Sequence, residues 1–192
     1  RGRLDDDPRS YPIYLFHRGE NFQAHRFFGC HRVERWGGFV FRLWAPHAKE
    51  VRVIGDFSDW KPEQSSKMEK ISDEIWETVL PTAREGDRYQ YYIQRPDGSF
   101  VYKTDPYCFS AELRPGKAGK ITCLEGYEWM DAASQKRKRE QNPLAGPINI
   151  YEVHASSWRT REDGSFLTYR ELAEQLIPYA KSMGYTHLEL MP

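Results

Sequence analysis

The chain contains little cysteine: the three thiols of Cys30, Cys108 and Cys123 are scattered along 192 residues, and no two have Cys-x-x-Cys spacing. An odd number of isolated cysteines does not build a disulfide framework and is typical of free thiols in a reducing compartment. No Cys and His residues have the spacing of a zinc knuckle, so we expect no metal site. Nothing in the sequence requires a cofactor.

Net charge is also missing, because 28 basic residues balance 28 acidic ones. Since nucleic-acid-binding proteins usually carry a basic excess, we do not expect nucleic acid as a partner. The basic cluster Lys136–Arg139 is more typical of a solvated helix face than of a binding patch. No apolar run is long enough to span a bilayer, and the opening residues are acidic and polar. We therefore expect a cytoplasmic protein without a membrane partner.

Aromatic residues are abundant, at 15% of the chain, and many lie in short segments that alternate with period two. In residues 39–44, for example, Phe39, Phe41 and Leu43 alternate with Val40, Arg42 and Trp44. Further segments of this kind, separated by Gly, Pro and Asp, are residues 51–55, 75–80, 89–93, 100–102 and 121–124. Short strands at these spacings predict an immunoglobulin-like antiparallel β-sandwich, which makes the chain mainly β. We expect Trp44 and Trp76 to lie in its core.

Near the end of the chain, a segment whose apolar residues have helical spacing lies between two predicted strands. Residues 148–154 and 186–190 read as strands, and the Thr168-x-x-Glu171 signature predicts the start of a helix between them. One apolar face at helical spacing is predicted to comprise Leu172, Leu176, Ala180 and Met183. Pro178 is expected to kink this helix and Gly184 to end it. A right-handed crossover would make the two strands parallel, which is the first β-α-β unit of a (β/α)8 barrel.

These patterns predict four segments. They are an N-terminal lead-in with one or two helices (1–30), the β-sandwich module (31–125), a helical linker (126–147) and the truncated start of the barrel (148–192).

Several motifs together resemble a known family. Phe41-Arg-Leu-Trp-Ala-Pro46 followed by Gly55-Asp-Phe-Ser-Asp-Trp60 resembles the starch- and glycogen-associated module that precedes many α-amylase-type barrels. Tyr151-Glu-Val-His154 with Ser157-Trp158, and the ending Met183–Pro192, resemble the opening of the catalytic domain of 1,4-α-glucan branching enzymes. The chain is therefore identified as similar to the N-terminal part of that family.

The resemblance implies a transglycosylation that cuts α-1,4-glucan chains and moves them to 6-hydroxyls, forming α-1,6 branches in glycogen or starch. Such a retaining reaction uses two carboxyl groups about 5 Å apart. In the family these acids follow later barrel strands, so we expect no catalytic residue here and no activity from the 192 residues alone. The expected partners are α-glucans (glycogen, amylose, amylopectin) and the remaining barrel of the parent enzyme.

The resemblance also implies three carbohydrate-binding positions. Trp60 matches a sugar-stacking tryptophan, Phe100 lies where these modules can carry a second tryptophan, and Gln90 lies where they can carry a hydroxyl-binding lysine. Exposed aromatic rings stack on the apolar faces of pyranoses. An equally weighted alternative is that Trp60 packs against a neighbouring domain.

Other interpretations stay open. Glu152 and Glu189 lie in the two predicted strands and would be a catalytic pair only if a cleft brought them together, so we expect structural roles for them. His154 and His187 are likewise expected to be structural. The alternatives for the whole chain are a non-catalytic glycogen-binding or regulatory module, and a debranching or trehalose-forming relative.

Overall fold

A computed structural model describes residues 7–34, 37–142 and 145–192. The chain divides into two compact units, Arg1–Tyr127 and Glu128–Pro192. In unit 1 the helix is α1 (Ser10–His17), and the strands are β1 (Gly29–Arg32), β2 (Phe39–Trp44), β3 (Glu50–Gly55), β4 (Ser66–Lys67), β5 (Glu69–Lys70), β6 (Ile75–Leu80), β7 (Arg88–Gln94), β8 (Phe100–Lys103), β9 (Ser110–Ala111) and β10 (Gly119–Lys120).

Unit 1 is built from two antiparallel sheets. The first has the strand order β1-β2-β6-β5, and the second has the order β4-β3-β7-β10-β9 with β8 paired to β7. The predicted strand over 121–124 does not form, because β10 ends at Lys120 and its pairing partners on β7 are Arg88 and Tyr89. The other predicted sandwich strands are present.

The core of unit 1 lies between the two sheets, and period-two alternation decides which side chains enter it. Buried residues from both sheets contact one another, including Phe41 and Leu43 from the first and Val51, Val53 and Tyr91 from the second. The rings of Phe41 and Tyr89 meet edge to face across the core, with centroids 5.0 Å apart. Trp76 is buried as predicted.

Trp44 does not lie in this core, and that prediction was wrong. It is 46% exposed, because alternation along β2 sends Phe41 and Leu43 inward and Trp44 outward. On the outer face its ring meets Phe16 of α1, with centroids 5.9 Å apart. The lead-in thus packs on the outside of the first sheet, where Phe27 and Phe28 join Ile75 in a second cluster.

Ion pairs also hold the lead-in to that outer face. Arg9 contacts Glu77 of β6 at 2.7 Å, and Arg42 of β2 contacts the same carboxylate at 2.6 Å. Phe22, in the same lead-in, is 90% exposed.

In unit 2 the helices are α2 (Ala132–Glu140) and α3 (Tyr169–Ser182), and the strands are β11 (Ile150–His154) and β12 (His187–Met191). The two strands pair in parallel, as predicted. α3 begins at a reciprocal capping box between Thr168 and Glu171 and continues through Pro178. Gly184 has a φ of +80°, which suits its place just after the helix.

α3 covers one face of β11. Val153 is buried against Leu172 and Leu176, and Ala180 is buried on the same helix. Met183, predicted to share this face, is 57% exposed because the helix ends at Ser182. The predicted β-α-β unit is therefore present after the sandwich.

No helix in the described ranges is long and apolar enough to cross a membrane.

Candidate functional site

The second sheet of unit 1 has an outer face, which we define by Arg52, Ile54, Arg88, Gln90, Tyr92, Gln94, Phe100 and Tyr102. On β3 and β7 these residues alternate with the core residues. The register of β8 against β7 places Phe100 and Tyr102 on the same face. Gln90 lies opposite Ile54, and Phe100 lies opposite Gln94. Both predicted sheet residues therefore belong to this face.

Trp60 lies at one end of that face, on the segment that follows β3. Residues Asp56–Ser58 form a 3-10 turn directly after Gly55, and Asp59 and Trp60 then take left-handed φ angles of 47° and 58°. The backbone N–H of Trp60 donates to the carbonyl of Gly55 at 3.1 Å and closes the loop. Trp60 is half-buried. We call residues 55–60 the Trp60 loop.

The indole of Trp60 is fixed by a carboxylate. Its Nε1–H donates to Oδ1 of Asp56 at 2.9 Å, and Arg88 donates to the same carboxylate from its backbone N–H at 2.8 Å and from Nη2 at 2.9 Å. Burial raises the pKa of Asp56, but the hydrogen bonds from Arg88 and Trp60 outweigh it and the net shift is downward. Asp56 is therefore ionised at neutral pH.

Gln90 and Phe100 are separated along the face. The side-chain amide of Gln90 donates to the carbonyl of Lys117 at 3.2 Å. Because Phe100 pairs with Gln94, four residues further along β7, about 13 Å separates the two positions along the strand. Trp60 and Gln90 thus lie near one end of the face and Phe100 near the other.

Phe100 belongs to an aromatic cluster that the sequence analysis missed. Its ring stacks on Tyr92 with centroids 4.6 Å apart and an angle of 12°, and Tyr92 also meets Tyr102 at 4.8 Å. Phe100 and Tyr102 are 42% and 47% exposed. Extending the alternation from Gln90 to Tyr92, and across the 96–98 turn to Tyr102, would have found both tyrosines.

The turn that presents Phe100 is itself ordered by a side chain. Asp97 accepts hydrogen bonds from the backbone N–H of Ser99 at 2.9 Å and from its hydroxyl at 2.6 Å. These bonds lower the pKa of Asp97. Gly98 supplies the positive φ of 88° that the turn requires.

In unit 2 the register sets Glu152 beside Glu189, on the face of β11 and β12 opposite α3. Both are exposed. Neither lines the cavity of about 380 Å³ bounded by Ala155, Phe166 and Pro192 or the cavity of about 760 Å³ bounded by Ala145 and Thr186. The two carboxylates are neighbours on one surface and not opposite walls of a cleft. His154 accepts or donates hydrogen bonds with Ser156 and Ser157 through Nδ1, at 2.9 and 3.2 Å.

The described ranges contain no group of three or more His, Cys, Asp or Glu side chains able to hold a metal ion.

Comparison with known proteins finds similarity over the sandwich and over the chain as a whole. Residues 27–108 match the family model of carbohydrate-binding module 48, the isoamylase N-terminal domain. The chain is 46% identical over 190 residues to a 1,4-α-glucan branching enzyme of Bacillus caldolyticus. The aligned residues make up 97% of this chain and 28% of that protein. It is 43% identical over 191 residues to the corresponding enzyme of Halothermothrix orenii, covering 98% and 30%.

The resemblance to branching enzymes that the motifs predicted is therefore confirmed, over nearly the whole chain. The chain spans less than a third of the length of these relatives.

Solved structures show the same fold. The pullulanase of Bacillus acidopullulyticus matches with a TM-score of 0.60 at 23% identity, over 86% of this chain and 21% of that one. Apo pullulanase of Paenibacillus barengoltzii matches with a TM-score of 0.58 at 23% identity, over 86% and 26%. The predicted fold class is confirmed: a mainly β chain in which an antiparallel sandwich precedes a β-α-β unit.

Proposed function

We propose that the chain is the N-terminal part of a cytoplasmic glucan branching enzyme, and that its sandwich module holds α-glucan while the parent enzyme cuts and transfers chains. The identity of 43–46% over nearly the whole chain is the observation that carries this proposal. The parent reaction would convert α-1,4 links into α-1,6 branches in glycogen or starch synthesis. The four segments 1–30, 31–125, 126–147 and 148–192 are proposed as its lead-in, module, linker and barrel start.

The outer face of the second sheet supports glucan as the ligand of the module. A pyranose presents apolar C–H faces and a rim of hydroxyls, which aromatic rings and amide groups complement. The face combines the rings of Trp60 and Phe100 with the amide of Gln90, which lies towards the Trp60 end. Since about 13 Å of strand separates Gln90 from Phe100, the face suits a chain of several glucose units better than a single sugar.

Titration of the 192-residue chain with maltoheptaose and with maltose tests the binding site. We expect Trp60→Ala and Phe100→Ala each to weaken maltoheptaose binding about 3- to 10-fold, the size expected for one lost aromatic contact. Trp44→Phe is the matched control, because Trp44 is a half-exposed tryptophan on the outer face of the other sheet. Equal affinity of all four proteins would remove the proposed site.

A separate experiment tests the proposal that the 192 residues bind glucan but do not catalyse branching. The 192-residue chain should form no α-1,6 branches from amylose in an assay of branch points, because Glu152 and Glu189 lie on an open surface and not in a cleft. Branch formation that disappears in a Glu152→Gln, Glu189→Gln double variant would assign catalysis to this pair instead.

A further inference from the structure

The Trp60 loop is a strained piece of backbone. Asp59 and Trp60 both adopt left-handed φ angles, a conformation that is unfavourable for non-glycine residues. Trp60 is only partly buried, so burial of the indole does not offset this strain in full. Strained conformations persist only where surrounding contacts hold them. Those contacts are therefore informative about what the loop is for.

Most of the hydrogen bonds that hold the Trp60 loop come from Arg88, at the start of β7. The carboxylate of Asp56 accepts four hydrogen bonds: from Trp60 Nε1 at 2.9 Å, and from the backbone N, Nη2 and Nε of Arg88 at 2.8, 2.9 and 3.1 Å. A carboxylate has about four acceptor sites, so Asp56 is saturated. A Cβ on Gly55 would collide with the carbonyl oxygen of Arg88, which shows how closely the loop lies on the strand.

Arg88 is itself held on its other side. Its Nη1 donates to Glu112 at 3.2 Å, and the second oxygen of Glu112 accepts the backbone N–H of Ala118 at 3.0 Å. The chain of contacts therefore runs from the sheet, through Glu112, Arg88 and Asp56, to the indole of Trp60. A bidentate arginine–carboxylate pair fixes direction as well as distance.

We propose that Asp56 and Arg88 are positioning residues that hold the Trp60 ring for stacking on the pyranose faces of an α-glucan, an inference that rests on the proposed function. The indole N–H is used by Asp56, so Trp60 offers its ring face and not a hydrogen-bond donor. The ligand it selects is accordingly the apolar face of a sugar. Arg88 acts through Asp56 and need not touch the glucan.

A double-mutant cycle on the full 192-residue chain tests this. We expect Asp56→Ala to weaken maltoheptaose binding about 3- to 10-fold in the parent, and to have no further effect in a Trp60→Ala background. Arg88→Gln should behave in the same way. Arg18→Gln is the control, because it breaks a comparable exposed ion pair, Arg18–Glu20 at 2.9 Å, in the lead-in.

A spectroscopic measurement without ligand separates positioning from general destabilisation. The ¹H–¹⁵N resonance of the Trp60 indole, identified by its loss in Trp60→Phe, should shift in Asp56→Ala and stay in place in Arg18→Gln. It should report the lost hydrogen bond even in a variant whose melting temperature is unchanged. An unshifted resonance in Asp56→Ala would overturn the proposal.

The remaining outcomes distinguish a failure of the binding site from a failure of the positioning role. If Trp60→Ala binds maltoheptaose as tightly as the parent, the proposed binding site fails and the positioning role fails with it. If Trp60→Ala weakens binding while Asp56→Ala and Arg88→Gln do not, only the positioning role is overturned. An equal loss from Asp56→Ala in both backgrounds would likewise show that Asp56 acts independently of Trp60.

Discussion

The two units bury their strands differently. In unit 1, β3 and β7 send alternate side chains into a core closed by the facing sheet, so Val51, Val53, Tyr89 and Tyr91 are completely buried. In unit 2, β11 buries Val153 under α3, but all five residues of β12 are exposed. The alternation of residues along a strand therefore specifies which side chains share a face. Whether that face is buried depends on a second sheet or a helix that covers it.

The largest expected effect is the loss of stability when a core side chain of unit 1 is removed, compared with the same kind of change in β12. Phe41→Ala should lower the free energy of unfolding of unit 1 by about 3–5 kcal/mol, because it leaves a cavity between the two sheets. Leu190→Ala in β12 should cost less than about 1 kcal/mol, because Leu190 is 53% exposed. Urea unfolding and hydrogen exchange would measure both. Equal losses would show that β12 is covered in solution.

An intermediate effect is expected at Asp105, a buried carboxylate in unit 1. It accepts hydrogen bonds from the hydroxyls of Tyr89 at 2.6 Å and Tyr91 at 3.2 Å, and from the backbone N–H of Tyr107 at 2.8 Å. Asp105→Ala should cost about 2–3 kcal/mol, because the buried hydroxyl of Tyr89 loses its acceptor and that of Tyr91 keeps only the carbonyl of Arg42, at 3.5 Å. Glu189→Ala on the exposed face of β12 should be nearly neutral, which urea unfolding would check.

Asp105 also predicts a pH dependence. Burial is the largest influence on its pKa and raises it, although the hydrogen bonds from Tyr89, Tyr107 and Tyr91 act in the opposite direction. The folded chain then holds this proton more tightly than the unfolded chain does. The contribution of Asp105 to stability is therefore greatest below the unfolded pKa of about 3.8 and falls as pH rises through the raised folded pKa.

Unfolding measured against pH checks this sign. The stability of the parent relative to Asp105→Asn should fall as pH rises from about 3.8 through the folded pKa and then level off. A relative stability that rises over the same interval would mean that the hydrogen bonds outweigh burial.

The smallest expected effect is local to unit 2. Thr168→Ala removes the side-chain acceptor of the Glu171 backbone N–H and should cost about 1 kcal/mol of helix stability. Hydrogen exchange in the first turn of α3 should become faster, while exchange in β7 stays unchanged. Thr160→Ala, a nearby threonine outside the helix, is the control. Faster exchange in both units would mean that they unfold together.

Much of the fold followed from local patterns. Alternation located β2, β3, β6, β7 and β8, and the Thr168-x-x-Glu171 signature located the start of α3. Predictions of burial failed where the strand was predicted correctly but the packing around it determined which side chains are buried. Trp44 lies in a correctly predicted strand, yet its side of that strand faces α1 and solvent, and Phe16 covers it only in part.

For the candidate site, the resemblance supplied Trp60, Gln90 and Phe100, and these assignments stay predictions. The hydrogen bonds of Asp56 with Arg88 could not be read from the chain, because 32 residues separate the two. The Tyr92–Phe100 stack needed the register of β7 against β8, which depends on how the 96–98 turn is closed.

By itself, the sequence determined which residues alternate, where helices and turns begin, and which family the motifs resemble, because each of these depends on neighbours along the chain. Only the tertiary structure decided that Asp56 and Arg88 meet around Trp60, that Trp44 lies outside the core, and that Glu152 and Glu189 share an open face. These outcomes depend on register and on packing between distant segments, which local propensity does not encode.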